Sequence, residues 1–212
     1  MNETTFTTAH HTASRTSELV LSALVAALMV ASAWISIPVG AVPVTLQVFV
    51  VVLAALLLSP AGAGAAMLVY LALGTAGVPA FSGGQAGVGV LAGPTGGYLY
   101  GFALGALIGS AVRGVIAGAQ GRAVRRHGGT RVAASARPRL WTTPSLADGL
   151  AALVVVVVVY TCGVLQLSIV AGLSLGQAVL AGAVPFLAAD AMKAAAAAVI
   201  ARSIRRARAQ IG

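Results

Sequence analysis

Residues 150–168 read LAALVVVVVVYTCGVLQLS, a stretch without a charged side chain. A helix needs about 20 apolar residues to cross the roughly 30 Å hydrocarbon core of a bilayer, so this stretch predicts a transmembrane helix. The composition agrees, because 59% of the residues are hydrophobic and only 8% are charged, whereas soluble domains have about 25% charged residues. The chain lacks the polar side chains that a water-facing surface requires, and we expect an integral membrane protein.

Five further apolar stretches predict an all-α membrane bundle of six transmembrane helices. The six predicted spans are 19–37, 45–58, 61–74, 96–116, 150–168 and 179–201. Spans two and three are short and separated by Ser59-Pro60, where we expect a tight turn rather than one long helix. Their shortness indicates tilted or partly re-entrant segments, which are tolerated only against protein or water. The tripeptide 31–33 (ASA) also resembles a signal-peptidase site, but we expect the first helix to be retained because Arg15 is the one strong positive charge before it.

The distribution of positive charges predicts the orientation. Seven arginines fall in the segment 113–148 and four near the C-terminus, whereas the loops 37–44, 75–95 and 169–178 contain no Lys or Arg. Because cytoplasmic loops of membrane proteins are enriched in Lys and Arg, both termini are expected in the cytoplasm. The expected location of this multi-pass protein is the plasma membrane. The predicted organisation is a disordered polar cytoplasmic tail at 1–18 and a six-helix membrane domain at 19–206, with a basic cytoplasmic loop at 113–148.

The same residues argue against several function classes. The formal charge of +9 would suit nucleic-acid binding, but the charges lie outside the apolar runs and no soluble domain carries them. The chain has no phosphate-binding loop, no H-E-x-x-H and no G-x-S-x-G motif. The lone Cys162 is interpreted as a small core residue, and His10 and His11 as part of a solvated tail. We therefore expect no enzyme, no cofactor and no metal centre.

Asp190 and Lys193 are the acid and the lysine that lie well inside a predicted span. A spacing of three residues places both on one face of a helix, close enough to pair. Charges inside a membrane are costly and commonly functional, so we favour a ligand site in which Asp190 accepts N–H groups and Lys193 meets a carbonyl or carboxylate oxygen. A purely structural salt bridge is the alternative.

Two outer segments supply further candidate ligand contacts. The stretch 74–98 reads GTAGVPAFSGGQAGVGVLAGPTGGY; its glycines permit close backbone approach, and we expect an ordered lid rather than a flexible loop. Phe81 and Tyr98 offer flat walls, and Gln85 and Thr95 offer hydrogen bonds. Gln47, near the outer end of span two, is either a packing amide or a ligand contact.

The sequence resembles the BioY family, the biotin-specific S components of energy-coupling-factor transporters. The resemblance rests on four motifs, which are 43–47 (PVTLQ), 74–84 (GTAGVPAFSGG), 93–98 (GPTGGY) and the pair Asp190-x-x-Lys193. It implies a six-helix protein that binds biotin from outside and associates with a transmembrane coupling protein and two cytoplasmic ATPase subunits.

The resemblance also implies roles for individual residues. The expected substrate-binding residues are Asp190, Lys193, Gln47, Tyr70, Phe81, Gln85, Thr95 and Tyr98, with the glycine-rich loop closing over the ligand. In S components a small-residue face of the first helix contacts the coupling protein, and Ala23, Ala27 and Ala31 fit that pattern. Three alternatives remain at this stage, namely an S component for another vitamin, an intramembrane transferase and a standalone proton-coupled carrier.

Overall fold

The computed structural model describes the backbone of residues 3–38, 42–127 and 146–211, and the side chains of residues 16–38, 42–119, 122 and 146–210. In this part of the chain the helices are α1 (Glu3–Trp34), α2 (Gln47–Leu57), α3 (Pro60–Thr75), α4 (Val88–Ala92), α5 (Gly96–His127), α6 (Leu146–Ala171), α7 (Leu175–Gly182) and α8 (Leu187–Ile211). Two short strands, β1 (Ser36–Ile37) and β2 (Val44–Thr45), pair antiparallel between α1 and α2. The fold is all-helical, as predicted.

Four helical segments of the described chain are long and apolar enough to cross a membrane. They are Thr16–Trp34, Gly96–Ala119, Leu146–Ala171 and Leu175–Gln210, and two shorter apolar helices, Gln47–Leu57 and Pro60–Thr75, accompany them. Many large apolar side chains on the long helices face outward, for example Leu24, Leu153 and Val199. An exterior of this kind is stable against lipid and not against water, so the protein is embedded in a membrane through several passes.

Helix α2 is the centre of the bundle. Its residues Gln47, Val48 and 50–56 are buried, and its neighbours are α1, α5, α6 and α8. With 11 residues it is about 16 Å long, too short to cross the bilayer alone. The turn at Ser59-Pro60 is present, because Pro60 begins α3 and the Ser59 hydroxyl accepts a hydrogen bond from the Gly62 N–H at 3.1 Å. The prediction of two separate short helices is therefore confirmed.

Helices α5 and α6 pack closely against each other. Glycines 97, 101, 105 and 109 of α5 face the backbone of α6. A Cβ at Gly101 would lie 2.8 Å from the Val159 Cα, and one at Gly105 would lie 3.2 Å from the Val155 carbonyl oxygen. Small residues let helix backbones approach in membrane proteins, and here they set the spacing of the wall that carries Tyr98 and Tyr160.

The structure differs from the sequence-based boundaries at the start of α1 and at the end of α5. Helix α1 starts at Glu3, within the segment 1–18 that was expected to be a disordered tail. Helix α5 continues to His127, so Arg113 and Arg122 are helical rather than part of a loop, and 128–145 lie outside the described residues. Neither helix contains a proline. Because adding a residue to an existing helix is far easier than starting a new one, each helix continues beyond its apolar stretch.

The predicted sixth span, 179–201, is not one helix. It is interrupted by a 3₁₀ turn at Val184–Phe186, and Pro185 lies in that turn. Proline lacks an N–H and clashes with the preceding helical turn, so it starts a new helix instead of continuing α7. Asp190 consequently lies in the first turn of α8, where the positive end of the helix dipole favours a carboxylate.

Candidate ligand-binding site

A cavity lies at the end of the bundle where the β1–β2 hairpin and the segment 81–95 meet helices α2, α5, α6 and α8. The space between its lining residues, counted together with the open mouth, is about 610 Å³. The lining residues are Val42, Pro43, Val44, Thr45, Gln47, Val48, Phe81, Ser82, Gln85, Val90, Thr95, Tyr98, Leu99, Phe102, Val159, Tyr160, Phe186 and Asp190. The wall is thus mostly aliphatic and aromatic, with a few polar groups.

Asp190 is the charged group of this wall, and two side chains hold it in place. Its Oδ2 accepts a hydrogen bond from the Tyr160 hydroxyl at 2.6 Å. Its Oδ1 accepts one from the Lys193 Nζ at 2.8 Å, and the same Nζ donates to the Thr45 carbonyl oxygen at 2.6 Å. Asp190 is 5% exposed. A buried carboxylate needs a paired cation and further hydrogen bonds, and this network supplies both.

Lys193 stands behind Asp190 and is outside the set of described residues that line the cavity. An ammonium group has three N–H donors, and two of them are used by Asp190 and Thr45. The pair is therefore a salt bridge, and its Asp190 carboxylate also forms part of the cavity wall. Lys193 has one N–H donor that Asp190 and Thr45 do not use. Direct contact between Lys193 and a ligand stays a prediction.

Gln47 is the first residue of α2 and lies on the cavity wall. Its Nε2 donates to the Tyr70 hydroxyl at 2.6 Å, and its Oε1 accepts from the Thr45 hydroxyl at 3.1 Å. Tyr70 is fully buried behind the wall, with its ring edge-on to Phe81 at 5.7 Å between centroids. Tyr70 thus supports two wall residues and does not itself line the cavity.

Five aromatic rings form the apolar wall, and Tyr98 is held by contacts on several sides. Its hydroxyl donates to the Gly182 carbonyl oxygen at 2.7 Å, and its ring meets that of Tyr160 edge-on at 6.4 Å. A Cβ at Gly163 would overlap the Tyr98 ring. The other rings are Phe81, Phe102 and Phe186. Fixed aromatic walls of this kind suit a compact ring ligand.

The glycine-rich segment 74–98 contributes several residues to the cavity wall. The Phe81 N–H donates to the Gln85 carbonyl oxygen, and the Gly87 N–H to the Gly74 carbonyl oxygen, at 2.9 and 2.7 Å. Gly74 has to be glycine, because a Cβ there would overlap the Phe81 ring. Gln85 and Thr95 line the cavity, and their contact with a ligand stays a prediction.

Two neighbours anchor this segment. The Trp34 Nε1 at the end of α1 donates to the Pro79 carbonyl oxygen at 3.1 Å. The Gln166 Nε2 of α6 donates to the carbonyl oxygens of Leu91 and Gly93, at 2.7 and 2.8 Å. The segment has a defined conformation that depends on α1 and α6.

Sequence reasoning missed several wall residues. Tyr160, Thr45 and Phe186 were not proposed as site residues, yet all three line the cavity. Tyr160 had a usable signal, since it is a phenol that directly follows six valines in an apolar helix, and a buried phenol needs a partner. Thr45 acts through its backbone carbonyl as well as its hydroxyl, and a backbone contact leaves no side-chain signal in a sequence.

Ala23, Ala27 and Ala31 lie away from the cavity on α1. All three are exposed and form a smooth stripe on the outside of the bundle. In the described part of the chain, no group of three His, Cys, Asp or Glu side chains is placed to bind a metal ion.

Comparison with known proteins identifies the family. The model of the BioY family matches residues 3–210. The chain belongs to the BioY family. The resemblance read from the motifs around 43–47, 74–98 and 190–193 is thereby confirmed. BioY is a family of transporters and not of enzymes, so the protein is not an enzyme.

Individual BioY proteins and one solved structure extend this result. The chain is 32% identical over 188 residues to a probable biotin transporter BioY of Pyrococcus horikoshii, covering 89% of this chain and 96% of that one. It is 48% identical over 91 residues to the biotin transporter BioY of Thermotoga maritima, a match that spans 54% of that protein's length. The crystal structure of the S-component for biotin from an ECF-type ABC transporter aligns with a TM-score of 0.72 and 23% identity, covering 91% of this chain and 93% of that one, so the two share a fold.

Proposed function

We propose that this protein is the high-affinity biotin-binding transmembrane subunit of a biotin uptake system in the plasma membrane. The observation that carries the proposal is the buried Asp190 carboxylate on the wall of a mostly apolar, aromatic cavity. Relatives that match nearly the whole chain are named biotin transporters, which supports biotin as the ligand over another vitamin.

The chemistry of biotin suits this cavity. Its ureido group offers N–H donors to the Asp190 carboxylate and a carbonyl oxygen to the unused N–H of Lys193. Its sulfur ring is apolar and suits the walls formed by Phe81, Tyr98 and Phe186. Its carboxylate chain then points to the mouth, where the side chains of Ser82, Gln85 and Thr95 provide hydrogen-bond donors.

Transport requires partners in this proposal. The chain contains no phosphate-binding loop, so ATP hydrolysis takes place on two cytoplasmic ATPase subunits coupled through a transmembrane protein. The exposed stripe of Ala23, Ala27 and Ala31 is the proposed contact for that coupling protein, because small residues permit close helix packing. The membrane arrangement has six spans with both termini in the cytoplasm, as the arginine distribution favours.

Biotin binding to the purified protein tests this function. We expect calorimetry in detergent to show tight binding by the wild type and a loss of roughly 10- to 100-fold for Asp190→Asn and for Lys193→Met, since each removes charge-assisted hydrogen bonds. Glu18→Gln is the matched control, because Glu18 interacts with the Ser59 N–H outside the cavity, and its affinity should equal that of the wild type.

The possible outcomes are distinct. Unchanged affinity in both variants would reduce the pair to a structural salt bridge, although biotin would remain the ligand. A folded wild type that binds another vitamin more tightly than biotin would overturn the proposed substrate. Biotin uptake by the chain alone in vesicles, driven by a pH gradient, would favour the proton-coupled carrier over the ATP-dependent system.

A further inference from the structure

A second buried acid, Asp148, lies at the end of the bundle opposite the cavity. It is 1% exposed and belongs to the first turn of α6. Arg113 of α5 contacts it with Nε–Oδ1 3.0 Å, and Arg205 of α8 with Nη2–Oδ2 2.6 Å. Arg202 Nε lies 4.0 Å from Oδ2. Three arginines from two helices therefore surround one carboxylate.

This cluster has more positive charge and more donors than Asp148 can balance. Three guanidinium groups and one carboxylate leave a formal charge of +2. Arg205 also donates to the Leu56 carbonyl oxygen at 2.9 Å, whereas Arg202 Nε is buried and has no hydrogen-bond partner among the described residues. The arginine side chains are only 15–23% exposed. Removing charged donors from water without partners is unfavourable, so the cluster favours an additional anion.

The other acidic residues of the sequence either lie away from this cluster or have partners of their own. The sequence contains four acids, Glu3, Glu18, Asp148 and Asp190. Asp190 pairs with Lys193 at the other end of α8, and Glu18 interacts with the Ser59 N–H. Glu3 lies fifteen residues before Glu18 on α1, about 22 Å further along that helix. No second carboxylate of this protein is placed to neutralise the cluster in the described part of the chain.

We propose that Arg113, Arg202 and Arg205 form a binding site for the headgroup of an anionic phospholipid. Guanidinium groups bind phosphate oxygens with paired hydrogen bonds, and basic pockets between transmembrane helices take up such headgroups. The neighbouring surface supports a lipid rather than a free ion. Val199, three residues before Arg202, lies on the same face of α8 and is 56% exposed. An acyl chain attached to a phosphate at Arg202 would therefore follow an apolar surface toward the membrane centre.

Lipid-dependent stability of the delipidated protein tests this site. We expect phosphatidylglycerol to raise the Tm of the wild type in detergent by about 3–6 °C more than phosphatidylcholine with the same acyl chains. In Arg202→Gln the extra shift should fall by at least about half. Arg208→Gln, on the same helix but at an exposed position, should keep the full shift. Native mass spectrometry should show a parallel loss of bound phosphatidylglycerol in Arg202→Gln.

Several results would overturn the proposal. Equal shifts with the two lipids would show that charge recognition is absent. An equal loss in Arg208→Gln would show diffuse attraction to a basic surface. A full shift from about 10 mM inorganic phosphate without lipid would assign the site to free phosphate, and restoration only by a coupling protein would assign it to an acidic protein partner. Should Arg202→Gln fail to fold, Arg202→Lys retains the charge and should keep part of the shift.

Discussion

At the scale of single residues, the two buried aspartates are stabilised in the same way but differ in their partners. Each lies in the first turn of a helix, where the helix dipole favours a negative charge. Asp190 has one cationic and one phenolic partner, which leaves it on a cavity wall as an acceptor. Asp148 is enclosed by arginines and has no exposed surface that a ligand could contact. The partners therefore decide which acid is available for binding.

Tyr160 positions the Asp190 carboxylate, and its hydroxyl can be removed alone. We expect Tyr160→Phe to weaken biotin binding by about 10-fold, because one hydrogen bond to a charged group is worth roughly 1.5–3 kcal/mol and part of the loss is recovered by solvent. Tyr100→Phe, an exposed phenol on α5, is the matched control and should bind like the wild type. Calorimetry measures the biotin affinity of both variants, and equal affinities would show that the Tyr160 hydroxyl does not contribute to binding.

The Lys193–Asp190 pair should show strong coupling in stability. Lys193→Met leaves a buried carboxylate without its cation, so we expect a loss of about 3–5 kcal/mol and a lower Tm by roughly 6–15 °C. Adding Asp190→Asn to that variant removes the uncompensated charge and should recover part of the loss. Thermal unfolding of both variants and of Asp190→Asn completes the cycle. Additive losses would contradict the pairing.

At the scale of helices, close backbone contacts and an interruption between two helices determine where the site lies. The α5–α6 pair depends on glycines that face α6, and that pair holds Tyr98 and Tyr160 next to each other. The break at Pro185 turns one apolar stretch into α7 and α8, which puts Asp190 at a helix start. The β1–β2 hairpin supplies the Thr45 carbonyl that binds Lys193.

Packing of α5 against α6 gives a prediction with a control on the same helix. Gly101→Ala places a methyl group 2.8 Å from the Val159 Cα, so the helices must move apart, at a cost of about 1–3 kcal/mol. Gly114→Ala has open space around the new methyl group and should be neutral or slightly stabilising. Thermal unfolding in detergent compares them, and a Tm for Gly101→Ala at or above that of Gly114→Ala would show that this contact is not limiting.

At the scale of the whole molecule, the bundle has two chemically different ends. The cavity end carries Asp190, Lys193 and loops without arginine, whereas the opposite end carries the Asp148 cluster and the arginines that follow it on α8. Lys193 and Arg205 are twelve residues apart on α8, about 18 Å along the helix. An apolar core that includes Val50, Leu56 and Val155 lies between the ends. The proposed orientation rests on this difference between the two ends.

Accessibility labelling tests that orientation. In a Cys162→Ser background, Ala86→Cys lies in the glycine-rich segment 74–98 and Ala209→Cys near the end of α8, and both positions are exposed. Because the positive-inside rule places the arginine-rich end in the cytoplasm, a membrane-impermeant maleimide should label Ala86→Cys and not Ala209→Cys in intact cells. Both should react after lysis. Labelling of both positions in intact cells would contradict the odd number of spans that must separate an outer loop from an inner terminus.

The amino-acid sequence by itself determined that this protein lies in a membrane and which family it belongs to. Apolar runs and scarce charges require a membrane, whatever the detailed packing, and the motifs at 43–47, 74–98 and 190–193 are local enough to recognise without a structure. Asp190, Gln47 and Phe81 could be selected as site candidates because each is an unusual residue for its surroundings.

Only the tertiary structure decided which of the selected residues share a wall. Tyr70 lies behind Gln47 and Lys193 behind Asp190, because α3 and the hairpin pack there. Tyr160 meets Asp190, and Arg205 meets Asp148, across 30 and 57 residues of chain. Such pairs form when helices distant in sequence bury polar groups that must find partners away from water, and one-dimensional spacing carries no record of which partner each group will find.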